Sequence, residues 1–320
     1  MRCLVTGGAG FIGSNIVEAL LDRGADVVVF DNLSTGKRRN IEPFIENRRC
    51  TFIEGTITDR PTCDRACKGV DYVFHEAALV SVPLSIESPE STCDINIRGT
   101  ANVFLAARDA GAKRVVFASS TSVYGNPNVF PNVETQPLNP LSPYAASKVS
   151  GEMLARAFTE VYGMPVICLR YFNVFGKRQD PSSAYAAAIP RFVTMLLRGE
   201  TPTIFGDGEQ TRDFVYIDNV VQANIRATVE AKPESFGKAF NIGCGAKTSI
   251  NRLYTIIAHE LKSDLRPLYG PERPGEVRDS VADISAARNA LGYEPVVDVE
   301  EGLKRSIAWY REQCLSLIHI

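Results

Sequence analysis

The sequence predicts an α/β protein built on a doubly wound parallel sheet. Three observations carry that expectation: short apolar runs recur between helical patterns, a glycine-rich turn follows the first run, and an aspartate closes the second. The runs are Cys3-Leu4-Val5, Val27-Val28-Val29-Phe30, Tyr72-Val73-Phe74, Val115-Val116-Phe117 and Val166-Ile167-Cys168-Leu169. Strands this evenly apolar are buried on both faces, and the intervals between them leave room for crossover helices. Ligands of such sheets bind beyond the carboxyl ends of the strands.

Taken in order, Thr6-Gly7-Gly8-Ala9-Gly10-Phe11-Ile12-Gly13 joins the first strand to a helix with Ile12, Ile16 and Leu20 on one face. Gly7, Gly10 and Gly13 permit a tight turn, close backbone approach to a pyrophosphate, and close packing of helix on sheet. Asp31 ends the second strand, where a carboxylate holds ribose hydroxyls and repels a ribose phosphate, which favours NAD over NADP. Lys37 and Arg38 lie within reach of a 2′-phosphate and keep the second cofactor open. After residue 176 the composition changes. A polar loop precedes a helical stretch from Ala184 to Arg198, and Pro202 to Gly208 reads as a strand and turn. Asn241-Ile242-Gly243 ends a further strand, and amphipathic stretches cover about 283–292 and 299–312. The expected division is residues 1–174 plus about 212–246 for the cofactor domain. A smaller, discontinuous α/β substrate lobe takes about 175–211 and 247–313, and the apolar tail 314–320 is unassigned.

At 320 residues the chain has room for one large domain and a lobe. Its net charge of −2 gives no electrostatic reason to expect nucleic acid or a membrane surface. No apolar run approaches the ~20 residues that span a bilayer, and a strand begins at Arg2 without a signal peptide ahead of it. The eight cysteines are scattered, with no histidine at ligand spacing from the nearest pair, Cys63 and Cys67. Free thiols, no metal and a cytoplasmic location are therefore expected.

The chemistry centres on Tyr144-Ala-Ala-Ser-Lys148, read with Ser120 upstream. Tyrosine and lysine four apart share one helix face, so phenol and ammonium point into one site. A free tyrosine titrates near pH ~10, and bringing it to neutrality takes about 3 pH units, roughly 4 kcal/mol. A neighbouring lysine and a positive nicotinamide ring are charges of the required sign. Ser120 offers a hydroxyl to a substrate oxygen.

With the glycine turn, Asp31, Ser120, Tyr144 and Lys148 in order, the chain resembles the extended short-chain dehydrogenase/reductase family. Further matches are His75-Glu76-Ala77-Ala78, Asn96-Ile97-Arg98-Gly99-Thr100, Ala118-Ser119-Ser120-Thr121-Ser122-Val123-Tyr124-Gly125, Leu169 to Gly176, and Arg212-Asp213-Phe214-Val215-Tyr216-Ile217-Asp218. The resemblance runs to about Tyr310 and is strongest to UDP-hexose 4-epimerases, particularly those acting on UDP-N-acetylglucosamine. It implies a Rossmann domain holding NAD through Gly7, Gly10, Phe11, Ile12, Gly13, Asp31, Asn32, Thr56, Ile57, Ala77, Tyr144, Lys148 and Tyr171. Thr56 departs from the family's aspartate, whose carboxylate accepts from the adenine amino group; a hydroxyl accepts without a charge. His75 reads as a core histidine, and Asn96 as structural or cofactor-proximal.

The same resemblance implies that Val80, Ser81, Ser120, Ser122, Asn173, Ala187, Ala188, Arg212, Arg273 and Ser280 bind the UDP-sugar. Tyr144 as phenolate would take the proton of the sugar 4-hydroxyl, hydride would pass from C4 to NAD, and the 4-keto sugar would turn over and take it back on the other face. Lys148 would bind the nicotinamide ribose, and Asn173, Arg212 and Arg273 the diphosphate. Dehydratases of the family carry an acid–base pair just before Val-Tyr-Gly, where this chain has neutral Thr121-Ser122, so dehydration is disfavoured. UDP-glucuronate 4-epimerisation stays open. Ser280 stands where enzymes limited to UDP-glucose and UDP-galactose carry tyrosine, and Val80 where they carry lysine, so acetylated sugars are expected as well as plain ones. A homodimer through a four-helix bundle is expected from family helices equivalent to 96–110 and 145–162, with Val103, Leu105, Met153, Leu154 and Phe158 as the apolar surplus.

Overall fold

The computed structural model describes residues 1–181, 188–272 and 277–318. Strand β1 (Arg2–Thr6) leads through helix α1 (Phe11–Asp22) to β2 (Asp26–Asp31). The short α2 (Glu42–Ile45) precedes β3 (Cys50–Glu54), and α3 (Arg60–Cys67) precedes β4 (Tyr72–His75). Helices α4 (Val82–Glu87), α5 (Pro89–Cys93) and α6 (Gly99–Asp109) lead to β5 (Arg114–Ser120), and α7 (Pro143–Tyr162) leads to β6 (Val166–Tyr171). Beyond these lie β7 (Asn173–Phe175), α8 (Ala188–Leu197), β8 (Thr203–Phe205), β9 (Thr211–Arg212) and β10 (Phe214–Tyr216). Helix α9 (Ile217–Val229) feeds β11 (Ala239–Ile242), followed by β12 (Thr248–Ser249), α10 (Ile250–Leu261) and β13 (Leu268–Gly270). The chain closes with α11 (Ser285–Leu291) and α12 (Val299–Ile318).

Seven strands form one parallel sheet in the order β11-β6-β5-β4-β1-β2-β3. This is the expected doubly wound, Rossmann-type sheet. Strand order reverses at β1, which lies between β2 and β4, and the crevice at their carboxyl ends is where such folds take ligands. Apolar runs make the inner strands because both faces are covered: one face by a core containing Ile16, Leu20 and Val220, the other by one containing Cys63, Phe104 and Phe158. Strand β3 was not among the apolar runs. It is an edge strand, Cys-Thr-Phe-Ile-Glu, only partly buried. Three further two-stranded pairings, β10-β7, β12-β9 and β13-β8, lie outside the main sheet.

Two expectations change here. Val103 and Phe158 are buried in the core between sheet and helices, with Leu105 and Leu154 packed partly against it. Only Met153 of the five named apolar residues is exposed, at 50%. The surplus is mostly consumed within the chain. Helix α12 also runs on to Ile318, past the expected end near residue 312. No helix among the described residues is long and apolar enough to cross a membrane.

Candidate active site

Helix α7 carries the candidate catalytic pair, and its start is fixed from several sides. Ser142 Oγ accepts from Ala145 N at 3.1 Å as N-cap, with Pro143 in the first turn. The Tyr144 N–H donates to Ser85 Oγ at 3.2 Å, which in turn donates to Val82 O at 2.6 Å, so α4 is tied to the residue that bears the phenol. Ser85 is fully buried, and sequence reading passed over it because a serine in a short helix carries no signal of its own. Further along, a Cβ on Gly151 would lie 2.3 Å from the Phe117 ring, so glycine lets α7 settle against β5.

That close approach sets Lys148. Its Nζ donates to Ala118 O at 2.7 Å on β5 and lies 5.8 Å from the centre of the Tyr144 ring. Burial pulls its pKa down to about 8, with the Glu76 carboxylate opposing. Ser120 ends β5 with its hydroxyl close enough to the Tyr144 phenol to lower its pKa, while its Oγ accepts from Ser122 N at 3.2 Å. Ser120, Tyr144 and Lys148 thus lie together at the carboxyl end of the sheet.

The expected route to a phenolate is only partly built into the protein. Burial pushes the Tyr144 phenol above its usual value, the nearby Ser120 hydroxyl works against that rise, and Glu76 adds to it. Lys148 lies close by, yet its ammonium does not overturn the cost of burying the charge.

The glycine turn has the shape the motif implies. Gly7 adopts φ of +66°, and a Cβ there would lie 2.8 Å from Ala77 N. A Cβ on Gly13 would lie 2.2 Å from Gly7 O, so the start of α1 packs on bare backbone. Gly10 is the N-cap of α1, and Phe11 and Ile12, half buried, form its first turn. Asp31 Oδ2 accepts from Ala9 N at 2.9 Å and Oδ1 from Leu33 N at 2.8 Å. Burial raises its pKa against those two bonds. Each carboxylate oxygen retains a lone pair, so ribose hydroxyls can still be held. The residues present therefore fit a dinucleotide.

Other expected cofactor positions follow. Asn32 is exposed, its Oδ1 accepting from Ser34 N and Oγ at 3.1 and 2.8 Å. Thr56 Oγ1 lies 2.9 Å from Thr58 Oγ1. The Ile57 side chain is core, filling the space against Gly99, while its carbonyl accepts from Asn102 Nδ2 at 3.0 Å. Ala77 N donates to Thr6 Oγ1 at 3.2 Å. Tyr171 is buried, its hydroxyl bonded to Glu76 and Asn224. Lys37 pairs with Asp180 at 3.3 Å and Arg38 stacks 6.0 Å from the Phe52 ring, so both cations have partners in the chain.

His75 is structural, as expected. The Thr100 hydroxyl donates to Asn96 O, so it accepts from His75 Nε2 at 3.0 Å, while Nδ1 takes the Thr6 hydroxyl at 2.7 Å. Burial drops its pKa to about 3. Asn96 lies in a π turn, Asp94–Arg98, and latches the strand-end segment at Leu79 to Ser147 on α7.

On the substrate side, Val80 is 63% exposed, and Ser81 is the N-cap of α4, accepting from Leu84 N at 3.2 Å. Ser122 Oγ is buried with no partner among the described residues. Asn173 opens β7, its N–H donating to Asp213 O at 3.0 Å, and Ala188 opens α8. Arg212 donates to Thr211 O at 2.8 Å, and Ser280 N donates to the same carbonyl at 3.2 Å, so these two candidates share one strip. Ala187 and Arg273 lie outside the described residues. Asp213, buried, gathers that strip: its carboxylate accepts from Cys244, Gly245 and Ala282 N–H groups at 2.7, 2.9 and 3.1 Å. Burial pushes its pKa up to about 6. No cluster of metal-ligating side chains occurs among the described residues.

A glycine turn at the switch point, an acid after β2, and a Ser-Tyr-Lys cluster at the sheet's carboxyl end define a short-chain dehydrogenase/reductase type of cofactor site. The chain belongs to the NAD-dependent epimerase/dehydratase family, whose model matches residues 3–243. It is 39% identical over 315 residues to a UDP-glucose 4-epimerase of Mycolicibacterium smegmatis, covering 98% of this chain and 99% of that one. Its structure is similar to that of UDP-N-acetylglucosamine 4-epimerase from Methanobrevibacter ruminantium M1 in complex with UDP-N-acetylmuramic acid: TM-score 0.93, 42% identity, 98% of both chains. It is also similar to Thermotoga maritima UDP-glucose 4-epimerase with UDP-glucose: TM-score 0.92, 40% identity, 98% of this chain and 100% of that one.

Proposed function

We propose that this protein interconverts UDP-sugars epimeric at C4 with NAD as resident cofactor, acting on UDP-N-acetylglucosamine and UDP-N-acetylgalactosamine and also on UDP-glucose and UDP-galactose. The observation that carries the reading is the convergence of Ser120, Tyr144 and Lys148 beside the glycine turn, with only neutral Thr121 and Ser122 after Ser120. NAD would lie along Gly7, Gly10 and Gly13 with its adenosine ribose on Asp31, and when bound it supplies reversible hydride acceptance at the sugar C4. Tyr144 moves the proton of the 4-hydroxyl, Ser120 orients that oxygen, and Lys148 holds the nearby ribose. Arg212, with Asn173 and Arg273, offers donors to the diphosphate. Ser280, half buried on the strip with Arg212, leaves room for a 2-acetamido group. The neutral pair Thr121-Ser122 argues against elimination of water, since neither hydroxyl serves readily as acid or base.

Residues 1–174 with about 212–246 form the cofactor domain in this reading, and the remainder to 313 the substrate lobe. Two copies associate through the outer faces of α6 and α7. A cytoplasmic location agrees with the seven described cysteines being free thiols.

The test is incubation of purified protein with a panel of UDP-sugars, including UDP-glucuronate, with NAD in catalytic amount. Epimers resolved by chromatography, without net NADH, are expected. NADH formed in proportion to product makes the protein a dehydrogenase and overturns the reading. Turnover of UDP-glucuronate alone shifts it to the uronate.

A further inference from the structure

One ionisable group at the catalytic cluster has no part in the scheme above. Glu76 follows β4 directly, next to Ala77, which abuts the glycine turn. The Tyr171 hydroxyl donates to Glu76 Oε1 at 2.9 Å and accepts from Asn224 Nδ2 at 2.7 Å. The direction of this relay is fixed from its far end. Asn224 Nδ2 also donates to Val220 O at 2.9 Å, and a backbone carbonyl can only accept. The amide is therefore turned with its NH₂ toward Tyr171, at the cost of leaving Oδ1 buried and unpartnered among the described residues. Tyr171 receives one hydrogen bond and has a single proton to give, and it gives it to Glu76. Such a relay ends on an acceptor, which suits a carboxylate.

We propose that Glu76 is a positioning residue of the catalytic centre, acting through Lys148 and Tyr144 by the charge of its carboxylate and making no contact with the sugar. The groups that face it support this. Glu76 stands one residue past the His75–Phe117 pair of β4 and β5, beside Ala118, whose carbonyl takes Lys148 Nζ at 2.7 Å, and its partner Tyr171 is opposite Ser120 in the β5–β6 register. From α7 the Lys148 ammonium and the Tyr144 phenol therefore face it, and its carboxylate raises the pKa of both. From β6 comes Tyr171, and from α9 the neutral Asn224. On β4 the adjacent His75 is neutral and engaged by Thr6 and Thr100, and on β5 Ser120 carries no charge. The other buried carboxylate near Lys148, Glu152, is paired with Arg170. Burial raises the Glu76 carboxyl to about 7, with the Tyr171 bond and Lys148 opposing. Ionised, it keeps Lys148 charged and works against a phenolate at Tyr144. Protonated, it releases that opposition.

The inference rests on Tyr144 being the base, and the test separates the two. Glu76→Gln keeps an oxygen that accepts from Tyr171 and removes only the charge. In free enzyme, without NAD or sugar, the phenolate of Tyr144 is titrated by ultraviolet difference absorbance, with Tyr144→Phe in each background subtracting the other tyrosines. The Tyr144 step should fall by about one pH unit in Glu76→Gln. It should fall likewise in Glu76→Ala, which keeps the test alive if the amide variant misfolds, and return toward wild type in Glu76→Asp. In the NAD-loaded enzyme the acid limb of the kcat–pH profile should move down with it. Superimposable titrations overturn the proposal, as does a uniform loss of kcat with an unshifted limb, the mark of a merely structural residue. Absence of epimerase activity on every sugar would sink the functional reading while leaving the free-enzyme titration to decide Glu76.

Discussion

Ser280 illustrates how much a single side chain carries. Its amide is held to Thr211 O at 3.2 Å, one residue from Arg212, the proposed diphosphate donor, so the position of its Cα relative to Arg212 is set by backbone. In the proposed reading, a larger side chain there takes up the space left to the sugar 2-substituent. Ser280→Tyr should overfill it for acetylated sugars, a penalty of about 1–3 kcal/mol. The expected outcome is a fall of about tenfold or more in the ratio of kcat/KM for UDP-N-acetylglucosamine to that for UDP-glucose. An unchanged ratio removes Ser280 as the gate. At this scale the sequence was most informative where chemistry and spacing lie within one segment. Gly7, Gly10 and Gly13, or Tyr144 and Lys148, can be read because turn and helix geometry alone bring them together. Glu76 meets Tyr171 across 95 positions, and Asp213 meets Cys244 and Ala282 across 31 and 69, contacts that no local period encodes.

Helix α7 is the element on which the site depends, and it is held by more than packing. Glu152, two turns beyond Tyr144 on the same face, accepts from Arg170 Nε and Nη2 of β6 at 2.8 and 2.7 Å and from Ser119 Oγ of β5 at 2.6 Å. Arg170 continues to Tyr124 Oη at 2.8 Å, and Tyr124 donates to Asn241 Oδ1 at 2.6 Å on β11. The Arg170 and Glu152 side chains are only 5% and 4% exposed, so each is tolerated because the other is there. Glu152→Gln would leave the guanidinium buried without its counter-charge. A loss of about 3–5 kcal/mol in urea unfolding is expected. A loss under about 1 kcal/mol would show that the pair contributes little beyond its hydrogen bonds. Element legibility varied for physical reasons. Helix α9 was missed because Asn219, Asn224 and Thr228 sit on its buried face and break the apolar period. Helix α10 had a readable signal in its Ser249 cap and in Ile250, Leu253, Tyr254 and Ile257, which the sequence reading left unused.

For the whole molecule, the open matter is how the outer side of α7 is covered. Ala146, Met153, Ala157 and Val161 are exposed at spacings of seven, four and four, which places them on one outward stripe of the helix. Leu84 and Ile86 of α4, a helix that touches α7, are exposed as well, and Tyr162 at the end of α7 lies under Arg108 of α6, 4.7 Å from its ring centre. An apolar stripe on a long helix beside a second helix is a surface that a twofold copy of itself can bury, four helices meeting in one layer. The same helix presents Tyr144 and Lys148 on its inner face, so association would also stiffen the backbone under the proposed catalytic pair. The expected mass by light scattering at micromolar concentration is twice the 35.0 kDa of one chain. Met153→Glu places a charge at the middle of the stripe and should return the protein to a single-chain mass while leaving its circular dichroism unchanged, because Met153 is outside the core. Wild-type protein at the mass of one chain under those conditions would mean that this face stays in water, and the proposed dimer would fall.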